Sequence, residues 1–442
     1  MISRDERKRF ELEAKLAGLD QEFTAWRDLS EKGQRLAKHH SQIRAVIGSL
    51  QVPVEHLRNR ITKPGGPVPW WLAERELLQI HAVWDLFRQK FALRDVAVFR
   101  PYLDLADDFT WACYQPAQLL GAGPHNVRLE EVREPPLTFL GPVDAPFAIQ
   151  RGSSYGTGVR AGIMGDAELQ GAVERLPIPL VEVPWFQLRH LPDALVLAHE
   201  VGHHVENDFG LTPTLRRLVH AALTSTPASR ERQWQGWLGE VFADIYGALA
   251  VGPAFGQTLA DFAASGPVAT AGTTIYPPVG LRIRCVAEAL GQVSSGLKDD
   301  LLARWTADFP DEPASSFEQD AALLVRTLIT GPYQEFGCVG LTSVIGFSSW
   351  SANAEATAAA LLKNAELSRG IDVRCLLAAA GLAFVRDPKK YQDINATDAV
   401  LVHAQQIADK GLRATRKEVR FAARDEAAGK SLLALLIADE PA

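Results

Sequence analysis

The sequence LVLAHEVGHHVEND, residues 195–208, places two histidines four positions apart in an otherwise apolar run, with a glutamate directly after the first. Pro192 and Gly210 frame this run as one helix, because proline is favoured in a first helical turn and glycine just beyond a last one. Alanine and valine recur at steps of four and three residues, which is the spacing of a buried helical face. The stretch therefore predicts a half-buried helix that carries the two histidines on another side.

His199 and His203 are expected to project as neighbours, since residues four apart lie next to each other on a helical surface. Two imidazoles so placed are able to bind one metal ion. Glu200 points about 100° away from His199, so it is placed to act on a water at the metal rather than to ligate the ion. This His-Glu-x-x-His pattern predicts a Zn2+ site in which Glu200 is the catalytic base.

A zinc site for hydrolysis needs a third protein ligand and an open position for water. The segment WQGWLGEVFADIYGALAVGPAF, residues 234–255, supplies candidates on a second helix. Its apolar stripe is formed by Leu238, Phe242, Ile245 and Leu249. Glu240 and Asp244 are left together on another face, where two carboxylates repel each other unless a cation lies opposite. We predict that Glu240 binds the metal and that Asp244 accepts the ring N–H of a ligating histidine. Direct ligation by Asp244 is the alternative.

The motif HEVGH, followed by Glu-x-x-Ala-Asp at 240–244, resembles the gluzincin metallopeptidases, in particular the group of the CAAX prenyl proteases and the HtpX-type heat-shock proteases. The resemblance covers residues 190–290 only. It implies a zincin-like domain and zinc-dependent hydrolysis of peptide bonds, with the family's third zinc ligand falling on Glu240. The soluble regulatory proteases with an HEIGH-type motif are a second, looser resemblance.

The segment TTIYPPVGLRIRCVAEAL, residues 273–290, is similar to a downstream His-Pro and Arg-Ile segment of the same group. Pro277, Arg282 and Ile283 match that segment, whereas Tyr276 stands where the group has histidine. Hydrolysis needs a hydrogen-bond donor for the developing oxyanion. Tyr276 and Arg282 are the two candidates for this catalytic role.

The composition indicates an ordinary globular protein, with 442 residues, 47% hydrophobic residues and a formal net charge of -7. This charge gives no overall reason to expect a nucleic-acid partner. A basic cluster near the C-terminus is interpreted as a solvated helix face: Lys410, Arg413, Arg416, Lys417 and Arg420. No secretory signal and no apolar run of about 18 residues is found, which predicts a soluble, cytoplasmic protein that binds no membrane.

The predicted fold is α+β and predominantly helical, with a zincin-like peptidase domain between helical N- and C-terminal regions. The break TKPGGPVP at 62–69 separates a helical region 1–63 from a peptidase domain 64–295, and a helical region 296–442 follows. Short apolar runs between about 95 and 190, beginning with VAVFRPYLDL at 96–105, predict strands. Within them LPIPLVEVPWFQL, residues 176–188, is rich in proline and suits either an edge strand that binds an extended peptide or an ordinary structural strand.

Other polar and aromatic side chains near the motif have structural interpretations. His204 is expected to be hydrogen-bonded or exposed rather than a ligand, because it points about 100° away from His203. Glu206 and Asp208 are expected to solvate the end of the helix. Trp234 and Trp237 are expected to pack in the core.

The sequence as a whole predicts a soluble zinc-dependent metallopeptidase whose substrate is a protein or peptide. Two alternatives remain open: a zinc-binding regulatory or scaffold protein without protease activity, and a zinc hydrolase of a non-peptide amide. A base at Glu200 favours an enzyme, because a structural zinc site has no use for it. A regulatory partner that binds the N- or C-terminal helical region is also expected.

Overall fold

The computed structural model describes residues 2–62, 69–121, 134–150, 178–263, 272–346, 353–368, 370–407 and 422–436. Within these ranges the chain is predominantly helical and contains a single three-stranded sheet. The α+β class expected from the sequence is therefore confirmed. The basic cluster between Lys410 and Arg420 lies outside the described residues.

The first four helices are α1 (Arg4–Leu29), α2 (His40–Thr62), α3 (Trp70–Ala92) and α4 (Arg100–Gly121). Helix α1 begins with a capping box, in which Ser3 and Glu6 satisfy each other's backbone N–H groups. The strand predicted at 96–105 is wrong, because α4 begins at Arg100. The apolar residues of α4 recur at helical spacing over about six turns, and this longer period outweighs the short apolar run at its start.

The sheet consists of β1 (Leu137–Leu140), β2 (Phe147–Ile149) and β3 (Leu180–Val183), in the order β1-β3-β2. Strand β3 pairs in parallel with β1 and antiparallel with β2. The edge strand considered for 176–188 is thus central, and β2 is an edge within the described part of the chain. Pro179 and Pro184 lie just outside β3, so no proline interrupts its hydrogen bonds.

Seven elements follow the sheet in the described part of the chain, and the helices of the site are among them. They are α5 (Trp185–Arg189), a 3-10 helix (Leu191–Val196), α6 (Leu197–Asp208), α7 (Thr212–Ala222), α8 (Ala228–Val251), α9 (Pro253–Ala263) and α10 (Val279–Gly291).

Eight further α-helices lie among the described residues of the C-terminal part. They are α11 (Ser295–Asp308), α12 (Glu318–Thr330), α13 (Leu341–Ile345), α14 (Ala354–Leu362), α15 (Val373–Arg386), α16 (Pro388–Asp393), α17 (Ala396–Ile407) and α18 (Ala422–Leu436).

Two hydrophobic cores lie on opposite faces of the sheet. The first joins α1, α2, α3 and α18 to side chains such as Leu180. The second holds α4 and α6 to α10 together with most of the C-terminal helices, and it includes Val181 and Val183. This division follows from the alternation of side chains along a strand. The domain boundaries near residues 63 and 295 stay predictions.

A buried lysine lies on the first of these faces. The ammonium of Lys90 is 4.1 Å from the centroid of the Phe139 ring, and the side chain is buried. Burial lowers the pKa of Lys90 to about 8, against the opposing effect of the charge on Glu182. The same burial raises the pKa of Glu182. The pair is therefore a titratable feature of the core that lies apart from the histidine motif.

No helix among the described residues is both long enough and apolar enough to span a bilayer.

Candidate metal centre

Helices α6 and α8 cross closely at Gly202. A Cβ added to Gly202 would lie 2.8 Å from Cα of Ala243 and 3.1 Å from Cβ of Tyr246. Only a residue without a side chain permits this approach. The crossing places His203, one residue after Gly202, opposite the part of α8 that carries Glu240.

The helix of the motif differs slightly from the predicted one. Residues 191–196 form a 3-10 helix, and the α-helix runs from Leu197 to Asp208. Gly210 has a left-handed φ of 62° just beyond it, as a glycine at the end of a helix is expected to have. His199 and His203 remain neighbours within the α-helical part, with ring centroids 4.7 Å apart.

Three potential ligand residues, His199, His203 and Glu240, form a small triangle. Nε2 of His199 lies 3.1 Å from Nε2 of His203. The two oxygens of Glu240 lie 3.4 Å from Nε2 of His199 and 3.4 Å from Nε2 of His203. Donors about 2.0–2.1 Å from a tetrahedral zinc ion lie roughly 3.3–3.4 Å from one another. The triangle therefore fits three ligands of one metal ion, and it is the one such group among the residues that the structure describes.

The charges around the triangle suit a cation. Burial by itself raises the pKa of Glu240, but hydrogen bonds to His199 and His203 outweigh it and hold the pKa well below its usual range. Burial lowers the pKa of His199, whereas Asp244, Glu240 and Glu200 raise it, and the net result is about 10. The carboxylates around His199 therefore favour positive charge at this position, whether a proton or a metal ion carries it.

Asp244 lies on the other side of the His199 ring. Its Oδ1 is 2.8 Å from Nδ1 of His199, and the carboxylate is fully buried. Arg282 donates two hydrogen bonds to it, from Nε at 2.7 Å and from Nη2 at 2.8 Å. Burial raises the pKa of Asp244, but Arg282 and His199 outweigh it and lower the pKa. This geometry favours Glu240 over Asp244 as the third ligand.

Glu200 is buried beside the triangle. Burial raises its pKa, the charges of His199 and His203 oppose this rise, and the charge of Glu240 adds to it. A backbone hydrogen bond from Ala148, in strand β2, also acts on the carboxylate and lowers its pKa. The sheet therefore contributes a backbone group to the site, which the local sequence pattern did not indicate.

The two candidate oxyanion donors have different surroundings. Tyr276 is 46% exposed, and burial together with the charges of Glu240 and Glu200 raises the pKa of its hydroxyl. Arg282 is mostly buried, donates to Asp244 as described, and approaches Glu240 to 3.7 Å through Nη2. Both roles stay predictions, and these contacts favour Tyr276 as the donor and Arg282 as a partner of Asp244.

Other predicted residues fall outside the triangle. Nε2 of His204 lies 3.2 Å from the carbonyl of Leu180, so this buried histidine is hydrogen-bonded to β3, as expected. The expectation for Asp208 is wrong, because Asp208 is buried and accepts a hydrogen bond of 2.6 Å from Tyr114. A partner on α4 removes this carboxylate from solvent, and local helical spacing contains no sign of it.

Comparison of the chain with protein-family models, with curated proteins and with solved structures finds no match in any of the three. The function is therefore inferred from the geometry of the site.

Proposed function

We propose that the protein is a zinc-dependent metallopeptidase of the gluzincin type, with a zincin-like catalytic domain. In this proposal His199, His203 and Glu240 hold zinc, and the substrate is a protein or peptide. The observation that carries it is the triangle of His199, His203 and Glu240, whose ligand atoms approach one another to 3.1, 3.4 and 3.4 Å, with the buried Glu200 carboxylate on the helix of the two histidines. Three protein ligands leave one tetrahedral position for water or substrate, whereas structural zinc sites use all four.

Two imidazoles and one carboxylate form a donor set that suits zinc. When bound, zinc supplies a Lewis acid that polarises a carbonyl and lowers the pKa of water toward neutrality. Glu200 accepts the proton of the attacking water and delivers it to the leaving amine. The raised pKa of Glu200 fits both steps, because a proton shuttle works best with a pKa near the working pH.

Residues around the triangle orient these groups. Asp244 keeps the N–H of His199 on Nδ1 and so leaves the lone pair of Nε2 directed at the metal position. Arg282 neutralises Asp244 and fixes its carboxylate. The hydroxyl of Tyr276 is proposed to donate to the carbonyl oxygen as negative charge develops there.

The position of β2 favours a peptide over a small amide as substrate. Within the described chain β2 pairs with β3 on one side only, and the backbone of Ala148 in β2 lies close enough to Glu200 to lower its pKa. A strand edge beside the catalytic base suits main-chain pairing with an extended peptide. The peptide-binding role considered for residues 176–188 is therefore proposed for β2 instead.

The test combines metal analysis with peptide digestion for wild type, Glu200→Gln and the control Glu206→Gln. Glu206 lies on the same helix and accepts a hydrogen bond from Thr212, outside the triangle. We expect about one zinc per chain in all three proteins. Hydrolysis is expected to fall by about 100- to 10,000-fold in Glu200→Gln alone.

Near wild-type hydrolysis by Glu200→Gln would show that Glu200 is not the catalytic base. Zinc binding without cleavage of peptides or small amides would support the regulatory or scaffold alternative. Cleavage of small amides alone would support the non-peptide hydrolase.

A further inference from the structure

A short turn, Thr273–Tyr276, carries the proposed oxyanion donor. Within it the amide of Tyr276 donates to Oγ1 of Thr273 at 2.9 Å, and the amide of Thr273 donates to the carbonyl of Tyr276 at 2.8 Å. All of its side chains are exposed. Because little apolar surface is buried in this turn, burial alone does not fix its position on the protein.

Trp237 fastens the turn to α8. The indole N–H of Trp237 donates to the carbonyl of Thr273 at 2.8 Å, and the Trp237 side chain is buried. The neighbouring Gly236 lets the turn approach the helix, because a Cβ there would lie 2.9 Å from the carbonyl oxygen of Thr274. Trp237 precedes the ligand Glu240 by three residues, which is about one helical turn.

We propose that Trp237 is a positioning residue. By holding the Thr273–Tyr276 turn on α8, it places the hydroxyl of Tyr276 at a set position relative to Glu240, so that one helix aligns both the third metal ligand and the oxyanion donor. This inference rests on the proposed function for the role of Tyr276. The anchoring of the turn itself does not require that function.

Trp234 offers a matched control. It is buried, its ring centroid lies 5.6 Å from that of Trp237, and both rings contact Phe317 edge-on. Its indole N–H donates to Asp320 instead of to the turn, at 2.9 Å. Phenylalanine at either position removes one indole donor from the same aromatic cluster. A difference between the two variants therefore reports on the turn rather than on core packing.

A second pair of variants leaves both tryptophans intact. Gly236→Ala adds a methyl group against the carbonyl of Thr274, while Gly239→Ala adds one at an ordinary contact distance of 3.5 Å from Glu206. Alanine has a higher helix propensity than glycine, so neither change is expected to unfold α8. The pair separates displacement of the turn from any general effect on the helix.

Amide hydrogen exchange of residues 272–278 in the metal-free protein is the first measurement. Loss of the anchor is expected to speed exchange at Thr273 and Tyr276 by about tenfold in Trp237→Phe and in Gly236→Ala. Trp234→Phe and Gly239→Ala are expected to exchange as wild type does. Equal exchange in Trp237→Phe and Trp234→Phe would overturn the anchoring, whether or not the protein hydrolyses peptides.

Kinetics of the zinc-loaded protein are the second measurement. Trp237→Phe is expected to lower kcat by about 10- to 100-fold with little change in KM. A Tyr276 hydroxyl displaced by about 1 Å would stabilise the transition state less, while substrate binding would change little. Adding Trp237→Phe to Tyr276→Phe is expected to cause no further loss. A full additional loss in the double variant would show that Trp237 acts on another group and would overturn its role toward Tyr276. Absence of hydrolysis in wild type would instead count against the proposed function.

Discussion

Asp244 holds the ring of His199 through a contact of 2.8 Å between Oδ1 and Nδ1, on the side of the imidazole away from Glu240. Although Asp244 is fully buried, Arg282 binds both of its oxygens and keeps the carboxylate ionised, so that it accepts the N–H of His199. The other nitrogen of His199 is then the one that faces His203 and Glu240. The two carboxylates of α8 therefore have separate tasks at one histidine.

The first prediction separates these tasks by metal affinity. Glu240→Ala is expected to abolish stoichiometric zinc, because it removes one of three ligands. Asp244→Ala is expected to weaken zinc binding by about 10- to 100-fold, as loss of an orienting partner does. Competition with a chelator measures both. Full affinity in Glu240→Ala together with a metal-free Asp244→Ala would reverse the assignment.

The second prediction concerns the oxyanion donor. Tyr276→Phe is expected to slow turnover by about 100-fold while zinc content stays at the wild-type level, because the phenol donates only when negative charge develops. Steady-state kinetics and metal analysis of the same preparation test this. Unaltered turnover would transfer the role to Arg282 or to another residue.

The third prediction tests the crossing of α6 and α8. Gly202→Ala is expected to push the helices apart, because the added Cβ meets Cα of Ala243 at 2.8 Å. Overpacking of this kind costs about 1–3 kcal/mol in the free energy of unfolding, and the displacement also weakens zinc binding. Urea unfolding of the metal-free protein and a zinc titration measure the two effects. Gly239→Ala is the control, and an equal response of both variants would contradict the close approach.

The fourth prediction concerns pH and Lys90. The folded pKa of Lys90 is about 8, whereas that of an unfolded chain is about 10.4. Between these values the unfolded state binds more protons, so the free energy of unfolding rises with pH. Lys90→Met removes this dependence, so the variant is expected to be more stable than wild type at pH 7. This difference in the free energy of unfolding is expected to shrink by up to about 3 kcal/mol as pH approaches 10.4. Chemical denaturation at pH 7, 8, 9 and 10 measures it, and parallel curves for the two proteins would contradict it.

Local periodicity was sufficient to predict the helices of the site. The spacing of His199 and His203 places them on one side of a helix, and the apolar stripe of α8 leaves Glu240 and Asp244 together on another. These relationships depend on 3.6 residues per turn and hold wherever the helix packs. The same reasoning failed at residues 96–105, where a short apolar run was interpreted as a strand but α4 continues its helical period from Arg100.

Tertiary structure alone decided which groups meet across elements. The triangle of His199, His203 and Glu240 depends on the close crossing at Gly202, and the contact between Glu200 and Ala148 depends on the position of β2. Trp237 was predicted as a core residue, and it is buried, but its bond to Thr273 required the turn to lie on α8. Such contacts join residues far apart in the chain, and their distances are set by how whole helices and strands pack, which the spacing within one element does not contain.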